Sequence, residues 1–166
     1  LAPARIDRLV LVDASGYAFT PQVVPLGLGI AALPIVGRIG EHLMPRSLMA
    51  RSVQQVYGDP SRVTEPLIDR YFELTLREGN RRALGQRLRQ LEMGVHAERL
   101  KTLSRPTLIL WGGRDRLIPP DNAQRFAADI RGAKLVLFDE LGHVPQEEDP
   151  ARSVAPVIAF LQEPSR

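Results

Sequence analysis

Cysteine is missing from this sequence, which removes disulfides and thiolate metal sites from consideration. Histidine is nearly missing too. His42, His96 and His143 are the three present, and no spacing among them matches a metal-binding H-x-x-x-H pair, so no metal or other cofactor is expected. Aromatic residues make up only 5% of the chain, and the formal charge of +3 comes from a mild excess of basic residues scattered along it. The basic-plus-aromatic surface of a nucleic-acid binder is therefore not visible, and no nucleic-acid partner is expected. The densest basic stretch, REGNRRALGQRLR from Arg77 to Arg89, carries leucines at helical spacing and reads as the solvated face of a helix.

Long hydrophobic runs are lacking as well. The longest, VVPLGLGIAALPIVG from Val23 to Gly37, is shorter than a bilayer crossing needs and is broken by Pro25 and Pro34. No cationic segment precedes it, so neither a membrane span nor a signal peptide is expected, and the cytoplasm is the default location. Finally, there is no initiator methionine. The opening LAPARIDRLVLVD runs almost directly into a strand pattern, as expected for a segment of a longer chain.

What is present suits a globular core: 166 residues, 44% hydrophobic and 25% charged. RLVLVD (8–13), RPTLILW (105–111) and AKLVLFD (133–139) are short, nearly continuous apolar runs, the pattern of strands buried in a parallel sheet. Helical patterns follow the second and third. One is PPDNAQRFAADIRG, with Phe126 and Ile130 four apart and Gly132 as a stop signal. The other is PARSVAPVIAFLQ, with Val154, Ile158 and Leu161 along one face. Strand, helix, strand, helix is the signature of βαβ units and a parallel arrangement. The long middle block reads as helices near 45–57, 64–78 and 80–95. Thr64-Glu65-Pro66 suits a helix start, Asn80 suits an N-cap, and Leu84, Leu88 and Leu91 form an apolar stripe. The expected organisation is α/β, with core segments at 1–19 and 101–166 flanking a mainly helical insertion at 20–100.

Two turns carry the candidate chemistry. WGGRD places Asp115 just beyond the second strand, and DELGH places His143 just beyond the third. Ligand sites in parallel α/β sheets gather at these carboxyl ends. A carboxylate that accepts a hydrogen bond from one imidazole nitrogen fixes the tautomer, so that the other nitrogen can take a proton from a nucleophile. Separately, each residue also fits a plainer role: His143 as a turn residue and Asp115 as a helix cap.

PTLILWGGRDRLIPP, followed by GHVPQEEDP, resembles the C-terminal half of the α/β-hydrolase fold. That resemblance implies Asp115 as the triad acid and His143 as the triad histidine, with Glu148 and Pro150 at the start of the last helix. It also implies about three strands of the family's parallel sheet, with 20–100 as its cap (lid). No G-x-S-x-G elbow accompanies any serine, so the nucleophile, serine or aspartate, is expected upstream in an N-terminal half that activity requires. The chain by itself is expected to be inactive. The full protein is expected to be a serine esterase or lipase-like enzyme, with a small hydrophobic ester as substrate and with Val23 to Gly37, Leu43, Met44, Leu48 and Met49 as an apolar entrance. The alternatives are an epoxide hydrolase, dehalogenase or carbon–carbon bond hydrolase of the same fold, or a non-catalytic interaction module. Asp13, at the end of the first strand, is an alternative acid; otherwise it caps a turn.

Overall fold

The computed structural model of the protein describes residues 5–33 and 44–164. The opening residues 1–4, Pro34 to Gly37, His42 and Leu43 lie outside the described residues. Three strands form one parallel sheet in the order β1 (Leu9–Val12), β2 (Thr107–Gly112), β3 (Lys134–Phe138). In register, Leu11 stands opposite Ile109, and Ile109 opposite Leu135.

Among the described residues, only β2 is buried along its whole length, with a strand on each side and a helix over each face. Its alternate residues divide the core. Ile109 and Trp111 point to one face, where Phe126 and Ile130 of the first crossover helix and its cap close over them. Leu108 and Leu110 point to the other, against Phe138, Leu141 and Phe160. Full burial of side chains of this size stabilises the fold by about 1.5–3 kcal/mol each. The outer strands are wetter than their sequence predicts. Leu135 and Leu137 on β3 are exposed, as is Val12 on β1, since each strand has a neighbour on one side only.

The helical block between β1 and β2 comprises α1 (Leu26–Ala32), α2 (Arg46–Val56), a 3-10 turn (Pro60–Arg62), α3 (Glu65–Leu76), α4 (Asn80–Arg89) and α5 (Ala97–Leu100). Its helices pack on one another, α1 on α2 and α4, and α3 on α2 and α4. α3 begins as its sequence suggests, with the Thr64 hydroxyl accepting from the Leu67 N–H and Pro66 in the first turn. α4 departs from expectation at both ends. Gly79, in the left-handed region, is the N-cap, while Asn80 turns its amide back to the Leu74 carbonyl and closes the preceding helix. The helix then stops at Arg89 rather than 95, because the chain turns through Gly94, whose φ is +79°. Leu91 is left exposed outside it.

Beyond β2 come α6 (Asp121–Asp129), β3, α7 (Pro145–Glu148) and α8 (Pro150–Gln162). The stripe Val154, Ile158 and Leu161 is the exposed face of α8; Ser153, Val157 and Phe160 face the sheet instead. Asp149, not Glu148, starts α8, accepting from the Arg152 N–H at 3.1 Å.

Where β2 and β3 end, three backbone segments meet at glycines. A Cβ on Gly112 would overlap the Gly142 carbonyl, and one on Gly142 would overlap Gly58 and the Val56 carbonyl. Gly142→Ala is expected to cost about 1–3 kcal/mol or more, because backbone rather than a pliable side chain must give way. Gly29→Ala, whose Cβ meets only Val24 at 3.8 Å among the described residues, should instead stabilise α1 by roughly 0.5–1 kcal/mol. Urea denaturation of the two variants checks both signs.

Candidate active site

The turn after β2 builds the acid. Trp111, wholly buried, donates its indole N–H to the Ile118 carbonyl at 3.1 Å, which folds 112–118 back over the strand end. The fold-back aims the Leu117 and Ile118 N–H groups at Asp115 Oδ1, at 2.8 and 2.9 Å. Asp115 Oδ2 is left to face the next turn. There His143 Nδ1 lies 2.8 Å from it. The Asp115 side chain is fully buried, whereas that of His143 is 23% exposed. With two backbone N–H donors on Oδ1, Asp115 is placed as a carboxylate acceptor towards His143. His143 therefore carries its proton on Nδ1, which leaves Nε2 with a free lone pair, as a general base requires.

Asp13 sits beside this pair. It continues the β1 ladder through its N–H to the Leu110 carbonyl, then turns with φ +41°, a left-handed backbone rare outside glycine, asparagine and aspartate. That turn points its Oδ1 at the Gly112 N–H, at 2.9 Å. Donor atoms of Asp13, Asp115 and His143 lie within 4.8 Å of one another. Burial, with the negative Asp115 and Glu148 nearby, pushes the Asp13 carboxyl up to about 9, although the Gly112 N–H opposes the shift. The structure thus brings together all three residues that the sequence singled out.

It also adds a set that the sequence did not. The His143 N–H donates to the Val56 carbonyl at 2.8 Å, tying the histidine turn to the end of α2. Buried Glu148 bridges the same two segments, with Oε1 accepting from Gly142 N–H at 2.7 Å and Oε2 from Gly58 N–H at 2.8 Å. Burial raises its pKa, and those two N–H groups counter the rise. Glu147 reaches the helical block, accepting from Tyr71 at 2.8 Å and Tyr57 at 3.3 Å and pairing with Arg70 at 3.0 Å. Burial lifts both phenols above their usual range, so they remain donors. A cluster of acids after a histidine was the one visible signal; apart from Gly142, its partners lie 76 to 90 positions away and leave no local pattern.

The helical block also holds an open apolar pocket of about 400 Å³, lined by Pro25, Leu28, Met44 and Met49 among others, and by Val56, whose carbonyl holds the histidine turn. Leu48, expected in such a lining, is not part of it.

Parallel strands with their polar machinery at the carboxyl ends, and helices on both faces of the central strand, define an α/β protein of the hydrolase-fold class. Comparison with known proteins agrees: residues 1–157 match the model of the alpha/beta hydrolase family, and the chain belongs to that family. It is 26% identical over 160 residues to the uncharacterised hydrolase YugF of Bacillus subtilis, covering 96% of this chain and 58% of that protein. It is 27% identical over 165 residues to a 2-hydroxy-6-oxononadienedioate/2-hydroxy-6-oxononatrienedioate hydrolase of Pseudomonas putida, covering 96% of this chain and 55% of that one. Among solved structures, a meta-cleavage product hydrolase from Pseudomonas fluorescens superposes with a TM-score of 0.77 at 25% identity, covering 96% of this chain and 58% of that one. The chain thus spans little more than half the length of these relatives. Among the described residues, no helix is long and apolar enough to cross a membrane.

Glu148→Ala should orphan two N–H donors at once, at about 1–3 kcal/mol each, and Glu148→Gln should orphan one. Denaturation midpoints are expected to fall in the order wild type, Gln, Ala. Asp13 generates a pH dependence. Its folded value of about 9 lies above the ordinary 3.8, so the folded chain holds a proton that the unfolded chain releases. Its contribution is full below the unfolded value and is lost as pH rises through the folded one. Stability of the wild type relative to Asp13→Asn should therefore decline between those two pH values, as read by denaturation at a series of pH values.

Proposed function

We propose that this chain is the acid–histidine part of a hydrolase acting at a carbonyl carbon. In this reading His143 is the general base and Asp115 the carboxylate that orients it. One observation carries the reading: the hydrogen bond from His143 Nδ1 to buried Asp115, made at the carboxyl ends of adjacent parallel strands. His143 Nε2 takes the proton of an attacking hydroxyl, and the imidazolium so formed is stabilised by Asp115. The same proton then passes to the leaving group. The nucleophile comes from a part of the protein outside these residues, which makes this chain inactive alone. Residues 20–100 act as the cap over the site and 101–166 as its core.

A small hydrophobic ester suits the apolar pocket of the helical block, whose lining includes Val56, the residue that holds the His143 turn. The relatives favour a second substrate. Two of them are named for hydrolysis of carbon–carbon cleavage substrates, and this chemistry needs the same acid–histidine pair. Kinetics of the intact protein separate the two, with p-nitrophenyl butyrate as one substrate and a 2-hydroxy-6-oxononadienedioate as the other. Hydrolysis of charged esters as fast as the butyrate would remove the hydrophobic ester. Asp115→Asn should lower kcat on the preferred substrate on the order of 10⁴-fold with the fold intact, because the imidazole then adopts the wrong tautomer. Unchanged turnover in both Asp115→Asn and His143→Ala would overturn the assignment of these two residues, whereas an intact protein that hydrolyses neither substrate would favour a non-catalytic module.

A further inference from the structure

Three carboxyl groups are buried around the histidine turn, and two are fully accounted for by donors. Asp115 receives the Leu117 and Ile118 N–H groups and His143 Nδ1. Glu148 receives the Gly142 and Gly58 N–H groups. Asp13 is different. Its Oδ1 receives the Gly112 N–H, but its buried Oδ2 has no donor within reach. What lies beside the Asp13 carboxyl instead is that of Asp115, with an oxygen of each within 4.8 Å of the other. A contact between two carboxyls is a hydrogen bond only when one of them holds a proton. Among the described residues, Gly112 is the one donor bonded to Asp13, while Leu117, Ile118 and His143 all serve Asp115, so Asp115 is the charged member and Asp13 the acid. The backbone makes the same point, since Asp13 holds a left-handed φ of 41° that costs roughly 1–2 kcal/mol in order to direct its carboxyl there.

We propose that Asp13 is a positioning residue for the acid–histidine pair: its carboxyl, held as the neutral acid, donates a hydrogen bond to the Asp115 carboxylate and fixes it against His143. The donated hydrogen bond also draws negative charge away from Asp115 and so moderates how strongly Asp115 stabilises the imidazolium. Asp13 thereby sets the basicity of His143 without touching it chemically. The groups that face Asp13 are Asp115, His143 and the more distant Glu148, together with the Gly112 N–H. This role presupposes Asp115 and His143 as acid and base, but each readout below is made without substrate. A failed hydrolase assay and a failed role for Asp13 are therefore separate results.

The test titrates the His143 imidazole by NMR in the intact protein and in two variants. Asp13→Gly removes the donor and relieves the backbone, while Asp13→Asn keeps a neutral donor in place. The His143 midpoint should rise in Asp13→Gly, because an unmoderated Asp115 holds the imidazolium more tightly, and should return towards wild type in Asp13→Asn. If Asp13 were a carboxylate, both variants would remove a negative charge and both midpoints would fall; that result overturns the proposal, as does an unmoved midpoint in Asp13→Gly. A second measurement needs only the folded wild type and Asp13→Asn. The carbonyl stretch of a protonated carboxylic acid should be present at neutral pH in the wild type and absent from Asp13→Asn. Its absence from the wild type equally overturns the proposal.

Discussion

The hydrogen bond between His143 Nδ1 and Asp115 Oδ2 spans two turns that have nothing in common locally, and most of the chain's architecture bears on its 2.8 Å length. Adjacent strands stand about 4.8 Å apart, so two turns leaving β2 and β3 in parallel begin within side-chain reach. Reach alone does not fix a geometry. Asp115 is held because the Trp111 indole folds its turn back and two N–H groups clamp one carboxylate oxygen. His143 is held because Gly142 packs backbone to backbone against Gly112 on one side and Gly58 on the other. Neither turn tolerates a Cβ at those glycines, which is why the contact is rigid rather than merely close.

Burying three carboxyl groups around one imidazole is costly, and the chain meets the cost differently at each. Asp115 and Glu148 are solvated by N–H donors from their surroundings, at 2.7 to 2.9 Å. Asp13 has one such donor, and its carboxyl is driven upward to about 9. Desolvation raises Asp13 and Glu148, and the N–H donors of each oppose the rise. A buried acid with one donor is cheaper neutral, and a neutral acid is itself a donor. The residue with the poorest solvation can therefore serve the residue with the best.

How much of this was legible in the sequence follows the range of the interactions concerned. The run TLILW predicts β2 and its burial because every residue in it is covered, whichever face it points to. The turns carrying Asp115 and His143 were readable because each lies a few residues beyond a strand end. The outer strands were read as buried because an apolar run does not reveal how many neighbours a strand has. The α8 stripe shows a related limit: Val154, Ile158 and Leu161 and the set Ser153, Val157 and Phe160 both repeat at helical spacing, and only the position of the sheet selects which of them is buried. Asn80 suits an N-cap by type, but the left-handed Gly79 before it occupies that place. Glu147 and Glu148 have partners far along the chain, beyond any periodicity. Asp13 was visible as a residue, but its relation to Asp115 depends on β1 pairing with β2 across almost a hundred positions.

The attachment of the histidine turn to the helical block has a consequence for how His143 is held. His143 is fixed to β2 and β3 through Asp115 and Gly142, but its own N–H and the N–H of Gly142 are held by Val56 and Glu148, and Glu148 also holds Gly58. Val56 lines the apolar cavity as well. A displacement of α2 by a ligand in that cavity would therefore act on the backbone of His143 directly, with no intervening loop to absorb it. Because the glycine contacts are already at their closest approach, such a displacement cannot be taken up gradually. The turn either stays as it is or gives up the hydrogen bonds that align it. The helical block is thus a mechanical part of the histidine's support as well as the wall of a pocket.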